Sequence, residues 1–374
     1  MGFQKILVFL LFIGIGFILK SKFSSKAEIA GLKKIILNLA LPATIFIALL
    51  SVDINKELLL FPVMALALNG ILYLSTSLFL PILGMKKGTP NYNTARLLFA
   101  SLAPGLSCFP FVLEFLGESY LAKVAMADLG NKVFVLIILY LIAMQWYLKN
   151  NAKTTKFNTA KLLDLLKTLA FEPVNLFIMG ALVLMAFGLH LENLPFVFSD
   201  ILSRISLLMT PLVLLFIGLA VNIKKNQFAQ LFSLLSIRAA ISFLLIGILA
   251  LIIPMETNTV LLALAFALSA CSFWPYAHIA SVDALELAKA DADKTFNSNM
   301  AISILALSFP LSTILIMGVL NSGNLFSNTI SLFIASVVLF VVGSLPVLFN
   351  KIPKQLLKLR TSKYQLKTYT ENDS

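Results

Sequence analysis

Histidine, cysteine and charge are all scarce in this chain: two His, two Cys, and 12% Asp, Glu, Lys and Arg among 374 residues. Two thiols, Cys108 and Cys271, without a set of histidines make no metal site. Both fall in apolar segments, where a disulfide is not expected, and packing is the plainer reading of each. No Gly-rich phosphate loop, metal motif or nucleophile–histidine–acid set occurs, so neither an enzyme nor a cofactor or metal requirement is expected. Long polar stretches are missing too. The one soluble segment of any length covers 149–171 and contains a short amphipathic run, Leu162-Leu163-Asp164-Leu165-Leu166, suited to resting on a membrane face.

What is present is hydrocarbon. The hydrophobic share is 59% and the mean hydropathy +0.95, far beyond a soluble domain. Continuously apolar runs of membrane-spanning length recur, which points to helices and excludes a β-barrel. They predict an all-α membrane protein with spans near 3–20, 31–52, 57–83, 94–116, 124–148, 172–190, 199–222, 227–253, 258–282, 297–320 and 326–349. The first run has its positive charges after it and no small-residue cleavage site, so it reads as a retained span and not as a signal peptide.

The formal charge is +12, but its distribution argues against nucleic acid as a partner. Lys20, Lys22, Lys26, Lys33 and Lys34 flank the first loop, and Lys86, Lys87 and Arg96 the third. Lys149, Lys153, Lys156, Lys161 and Lys167 fill the fifth; Lys224 and Lys225 mark the seventh, Lys289 and Lys294 the ninth. The remaining loops carry little beyond Lys56, Lys123 and Arg204, while Lys351 to Lys367 crowd the tail. Basic residues on alternate loops are a topology signal. They place the N-terminus outside and the C-terminus in the cytoplasm of a multi-pass protein of the inner or plasma membrane.

The chain also repeats itself. At an offset of about 169 positions Pro42 meets Pro211, Leu50 meets Leu219, Ile54 meets Ile223 and Lys56 meets Lys225. Ser107-Cys108-Phe109-Pro110-Phe111 similarly faces Ser272-Phe273-Trp274-Pro275-Tyr276. Each copy holds five spans, an odd number, so the second copy must enter the membrane from the opposite side. The division expected is a first repeat over 1–148, a linker over 149–171, an inverted repeat over 172–322, an additional span over 323–350 and a basic tail over 351–374. Inverted repeats with a proline-interrupted helix in each half mark secondary transporters, whose site lies where the breaks meet. Pro104, Gly105 and Pro110 interrupt span 4, and Pro275 interrupts span 9. Backbone groups freed there must be buried in protein or line a wet cavity, and the half-helix N-termini suit an anion.

Several short segments carry a family resemblance. They are Asn38-Leu39-Ala40-Leu41-Pro42-Ala43, Leu116-Gly117-Glu118 leading to Ala127-Asp128-Leu129-Gly130-Asn131, prolines 110 and 275, and the run from Asn299 to Pro310. Together, in order and spacing, they resemble the auxin efflux carrier family, which includes plant auxin exporters and bacterial malate or malonate permeases. The resemblance extends to about residue 320. It implies a core of two inverted five-helix repeats with helices 4 and 9 broken and crossing in an X, as in sodium/proton antiporters and bile-acid symporters. It also implies a dimer in many members. The eleventh span, the basic tail and the Ser-Cys-Phe-Pro approach to Pro110 depart from the family pattern.

Polar residues at membrane depth are costly and mark function by default. Asn38 lies one turn before Pro42, and a substrate bond or a helix–helix bond are both open. Asp128 and Lys132, spaced i,i+4 at the start of span 5, read either as a neutralised pair near the outer boundary or as a protonatable gate, with Asn131 a ligand. Arg238 could fork a carboxylate or hold carbonyls of a broken helix. His278 reads as a backbone-satisfied imidazole or a proton-coupling group. Ser107, Cys108, Phe109, Pro110, Ser272, Trp274, Pro275 and Tyr276 would shape the cavity. Among Asn297, Ser298 and Asn299, at least one is expected to cap span 10. The expected function is a carrier of small organic anions, mono- or dicarboxylates, working by alternating access. An ion-coupled transporter on the same fold and a membrane sensor are the alternatives.

Overall fold

A computed structural model of the chain describes residues 2–23, 25–52, 56–151, 159–220, 228–291 and 293–346. The basic tail and much of the fifth and seventh loops, including Lys153, Lys156, Lys224 and Lys225, lie outside the described residues. So does the stretch of the second repeat from Val221 to Lys225.

Among the described residues every regular element is helical. In chain order they are α1 (Gly2–Leu19), α2 (Lys26–Ile35), α3 (Leu41–Leu50), α4 (Lys56–Ile82), α5 (Pro90–Phe99) and α6 (Pro104–Ser107). Then come α7 (Phe109–Leu116), α8 (Glu118–Val133), α9 (Leu139–Asn151), α10 (Thr159–Phe171), α11 (Pro173–Ala186) and α12 (Phe196–Leu207). The last are α13 (Met209–Ala220), α14 (Phe228–Ile252), α15 (Thr257–Ala267), α16 (Phe273–Leu285), α17 (Ser298–Leu320) and α18 (Thr329–Pro346). Two π turns, Ile36–Ala40 and Phe134–Ile138, join α2 to α3 and α8 to α9 into single long helices.

Seven of these helices are long and apolar enough to cross a membrane, and the pair Leu162–Phe171 and Pro173–Ala186, bent by 58°, makes an eighth if counted as one span. The count falls short of the eleven runs for physical reasons. Span 4 is divided among α5, α6 and α7, span 9 between α15 and α16, and the first run yields a shorter apolar helix, Gln4–Leu19. A multi-pass, all-α membrane protein is the class these elements define.

Helix ends follow local chemistry. Ser25 and Glu28 form a capping box at the start of α2, the Thr89 hydroxyl caps α5 ahead of Pro90, and Asn297 accepts the Met300 N–H at 3.0 Å to cap α17. Gly117, at φ 90°, makes the tight corner between α7 and α8 that a side chain would resist.

Close packing uses small residues, as expected where lipid supplies no hydrophobic drive between helices. α1 lies on α13, where a methyl group on Gly16 or Gly218 would overlap the partner backbone, and α11 lies on α3. α4 lies on α8 with Gly130 against the Pro62 carbonyl. Apolar side chains remain exposed on the outer faces, among them Leu74 and Leu78 of α4 and Ile330, Ile334 and Val337 of α18. α18 rides on the outside of the bundle, where Ser336 donates to the Ala240 carbonyl of α14 at 2.8 Å and Phe340 meets Phe79 edge-on.

Candidate functional site

The two broken spans meet. After α5 the backbone is unwound over 101–103, and after α15 over 269–272. Ala103 N–H donates to Ala270 O at 2.8 Å, Ala270 N–H to Ser107 Oγ at 2.9 Å, and Ser272 N–H to Ser101 Oγ at 3.1 Å. Cys271 N–H reaches Ser308 Oγ on α17 at 3.2 Å. Carbonyls are satisfied as well: Ala267 O accepts from Ser242 at 3.2 Å, Leu102 O from Asn131 Nδ2 at 3.0 Å, and Ser101 O from Arg238 Nη2 at 3.0 Å. Buried non-helical backbone survives only with such partners. Serine supplies most of them, because its short hydroxyl both donates and accepts.

The break in span 4 lies upstream of the proline singled out by pattern. Pro104, at the first position of α6, follows the unwound residues directly and cannot return an N–H to Ala100. Pro110 sits in the second position of α7, beyond a kink at Cys108, and is buried with Cys108 and Phe109. Pro275 falls at the third position of α16, where its missing N–H is one of the helix's free donors in any case.

Arg238 is 3% exposed, forms no ion pair among the described residues, and its Nε has no partner. Its Nη2 holds the Ser101 carbonyl, the contact that the carbonyl-holding reading expects. Its charge has a physical counterpart: α5 and α15 both end at the break, and two helix C-termini carry about half a negative charge each. One guanidinium balances both.

A cavity of about 330 Å³ opens beside the breaks, within the size range of small-molecule sites. Its walls include Leu102 to Leu106, Cys271 to Trp274, Lys33, Asp128, Asn131, Lys132 and Glu172. A second cavity of about 670 Å³ shares Lys33, Leu106, Phe273 and Phe309 with the first and continues to Tyr276, Asn299 and Phe228.

The polar wall of the first cavity is an ion cluster near the C-terminal end of α8. Asp128 and Lys132 are 5% and 7% exposed, enclosed among the helices, and they pair with each other. Lys132 Nζ lies 3.6 Å from Asp128 Oδ2, 3.0 Å from Glu172 Oε2 and 2.9 Å from Asn175 Oδ1. Asn69 Nδ2 of α4 donates to Asn131 Oδ1 at 2.9 Å, and Asn131 Nδ2 donates to Asp128 Oδ1 at 2.8 Å. Glu172 arrives because Pro173 holds the preceding residue extended, with ψ 132°, and so turns the chain from α10 into α11 at this point. Lys33 Nζ stands 4.3 Å above the Phe273 ring, a cation–π contact at the mouth.

Of the residues singled out by sequence, Asp128, Asn131, Ser272 and Trp274 line the first cavity and Tyr276 the second. Ser107 and Arg238 hold the break. Cys108, Phe109, Pro110 and Pro275 are buried in the core. His278 Nε2 donates to Val135 O at 2.9 Å, at the π turn that ends α8, so the backbone-satisfied alternative is the one observed. Asn38 is exposed while Pro42 is buried. Sequence reasoning missed Glu172, Asn175, Asn69 and Lys33 as site residues, and treated Lys132 only as a partner for Asp128; Glu172 alone had a local signal, the Glu-Pro step.

No protein-family model matches this chain, and a search of characterised proteins finds none similar at a significant level.

Proposed function

We propose that this protein is a secondary carrier for small organic anions, mono- or dicarboxylates, working by alternating access around the two breaks. The observation that carries the reading is the cavity itself: two lysines, an amide of α8 and two unwound backbones held side by side on one wall. Lys132 and Lys33 would take the carboxylate, Asn131 and Ser272 would orient it, and Trp274 would cover its apolar part.

The packing of α1 on α13 and α11 on α3 supports a scaffold of spans 1, 2, 6 and 7, with spans 3–5 and 8–10 as the moving bundle. The bonding of one unwound segment to the other supports crossed helices in inverted repeats, the fold implied by the resemblance to auxin efflux carriers. With the lysine-rich loops inside, the second cavity would open to the cytoplasm, where α14 and α17 begin.

The test is uptake of labelled malate, malonate and indole-acetate into proteoliposomes, with and without an imposed potential and pH gradient. Saturable flux of at least one anion, reduced at least tenfold in Lys132→Met, is the expected result. No flux from folded protein would overturn the carrier reading.

A second reading, a proton-coupled carrier on the same fold, is favoured by one feature. Asp128 and Glu172 both pair with Lys132, so two carboxylates face one ammonium in the cavity wall. Flux that follows the proton gradient and not the potential would select it.

A further inference from the structure

We propose that Glu172 is an internal competitor for the substrate: in the unloaded protein its carboxylate occupies Lys132, and an incoming carboxylate replaces it there. The inference rests on the carrier reading above and adds to it the group that sets affinity.

Three observations separate Glu172 from Asp128, the other carboxylate on the same lysine. The first is strength of contact: Glu172 Oε2 lies 3.0 Å from Lys132 Nζ, against 3.6 Å for Asp128 Oδ2. The second is freedom. Asp128 accepts a 2.8 Å bond from Asn131 within α8 and its side chain is 8% exposed, whereas Glu172 accepts, besides Lys132, a longer 3.4 Å bond from Asn175, is 24% exposed and sits at the bend before Pro173. A carboxylate displaced from the lysine there has a way to water, and one displaced from the Asp128 position has none. The third is charge balance. Lys132 faces two carboxylates, so when Glu172 leaves, Asp128 still neutralises the lysine and no bare cation is stranded in the bundle. Asn175 keeps its own bond to Lys132 at 2.9 Å and holds the ammonium in place through the exchange.

The chemical class follows from the group being replaced. A ligand that takes over from Glu172 must present a carboxylate to an ammonium at the depth of α8, with its remainder against Trp274 and Phe273. A site whose receptor is already occupied binds more weakly by the fraction of time it is free. Removing the competitor without removing the receptor should therefore tighten binding.

The experiment is equilibrium binding of labelled malonate and malate to the full-length protein in nanodiscs, comparing wild type, Glu172→Gln, Lys132→Met and the double variant, with thermal melting of each to show that it is folded. Expected are at least tenfold tighter binding in Glu172→Gln, at least tenfold weaker binding in Lys132→Met, and no gain from Glu172→Gln once Lys132 is gone. Unchanged or weaker binding in a folded Glu172→Gln protein would overturn this inference and leave the carrier reading standing. Binding of neither anion by any folded variant would overturn both.

Discussion

Arg238 shows what a single residue does at this depth. A buried guanidinium without a carboxylate is costly unless something else carries the compensating charge, and here the carbonyl ends of α5 and α15 do so. Its hydrogen bond to Ser101 O should contribute on the order of 2 kcal/mol, as bonds to charged groups do. Arg238→Met should therefore melt at a markedly lower temperature in detergent, with Arg238→Lys falling between it and wild type. A melting temperature for Arg238→Met equal to wild type would show that the break holds without the charge. The shape of the loss matters, because lysine keeps the charge and loses the fork.

At the scale of elements, hydroxyls hold the two unwound segments together. Ser107 accepts the buried Ala270 N–H and Ser272 caps α16 through Trp274 N–H at 3.3 Å. Ser107→Ala leaves a buried donor unpaired, a loss of about 1–3 kcal/mol. Ser272→Ala removes a cap of about 1 kcal/mol. Chemical unfolding should rank Ser107→Ala as the more destabilising of the two, and the reverse order would mean that the Ala270 N–H finds another acceptor. Elements of this kind were only partly legible beforehand. Long apolar runs are a local property, so α4, α14 and α17 stand close to where the runs placed them. The aromatic-Pro-aromatic step located the span 9 break, yet the same step in span 4 pointed past Pro104 to Pro110. Proline number and position both matter there, and two candidates in one segment cannot be ranked from spacing alone. π turns leave no residue signature, and neither Ile36–Ala40 nor Phe134–Ile138 was foreseen. Glu172, Asn175 and Asn69 reach Asp128 and Lys132 from helices that are distant in the chain, and only packing brings them together.

Across the whole molecule, the lysine-rich end is tied by one carboxylate. Glu286, at the end of α16, accepts the Thr295 N–H at 2.7 Å, the Thr295 hydroxyl at 2.8 Å, Asn151 Nδ2 at 2.9 Å and Lys289 Nζ at 3.2 Å, so it joins the end of α9 to the loop before α17. Burial alone would raise its pKa, but these donors outweigh burial and hold the carboxyl below the usual range. A depressed carboxyl adds stability that is fully present above its unfolded value of about 4.3 and is lost as pH falls through the depressed value. The melting temperature of Glu286→Gln should lie below that of wild type at pH 7, and the gap should close as both are acidified below pH 4. A gap that stays constant with pH would assign the effect to shape and not to charge.

The two native thiols make the junction of the unwound segments its own reporter. Cys108 and Cys271 are both 0% exposed, Cys271 within the second unwound segment and Cys108 just after α6, which follows the first, and the sequence contains no other cysteine. Both side chains are buried in the arrangement seen here, so slow alkylation is expected without any engineering. Whatever labelling does occur reports separation of the two segments. Its rate, followed by mass spectrometry with and without malonate, reports that separation in the unmodified protein.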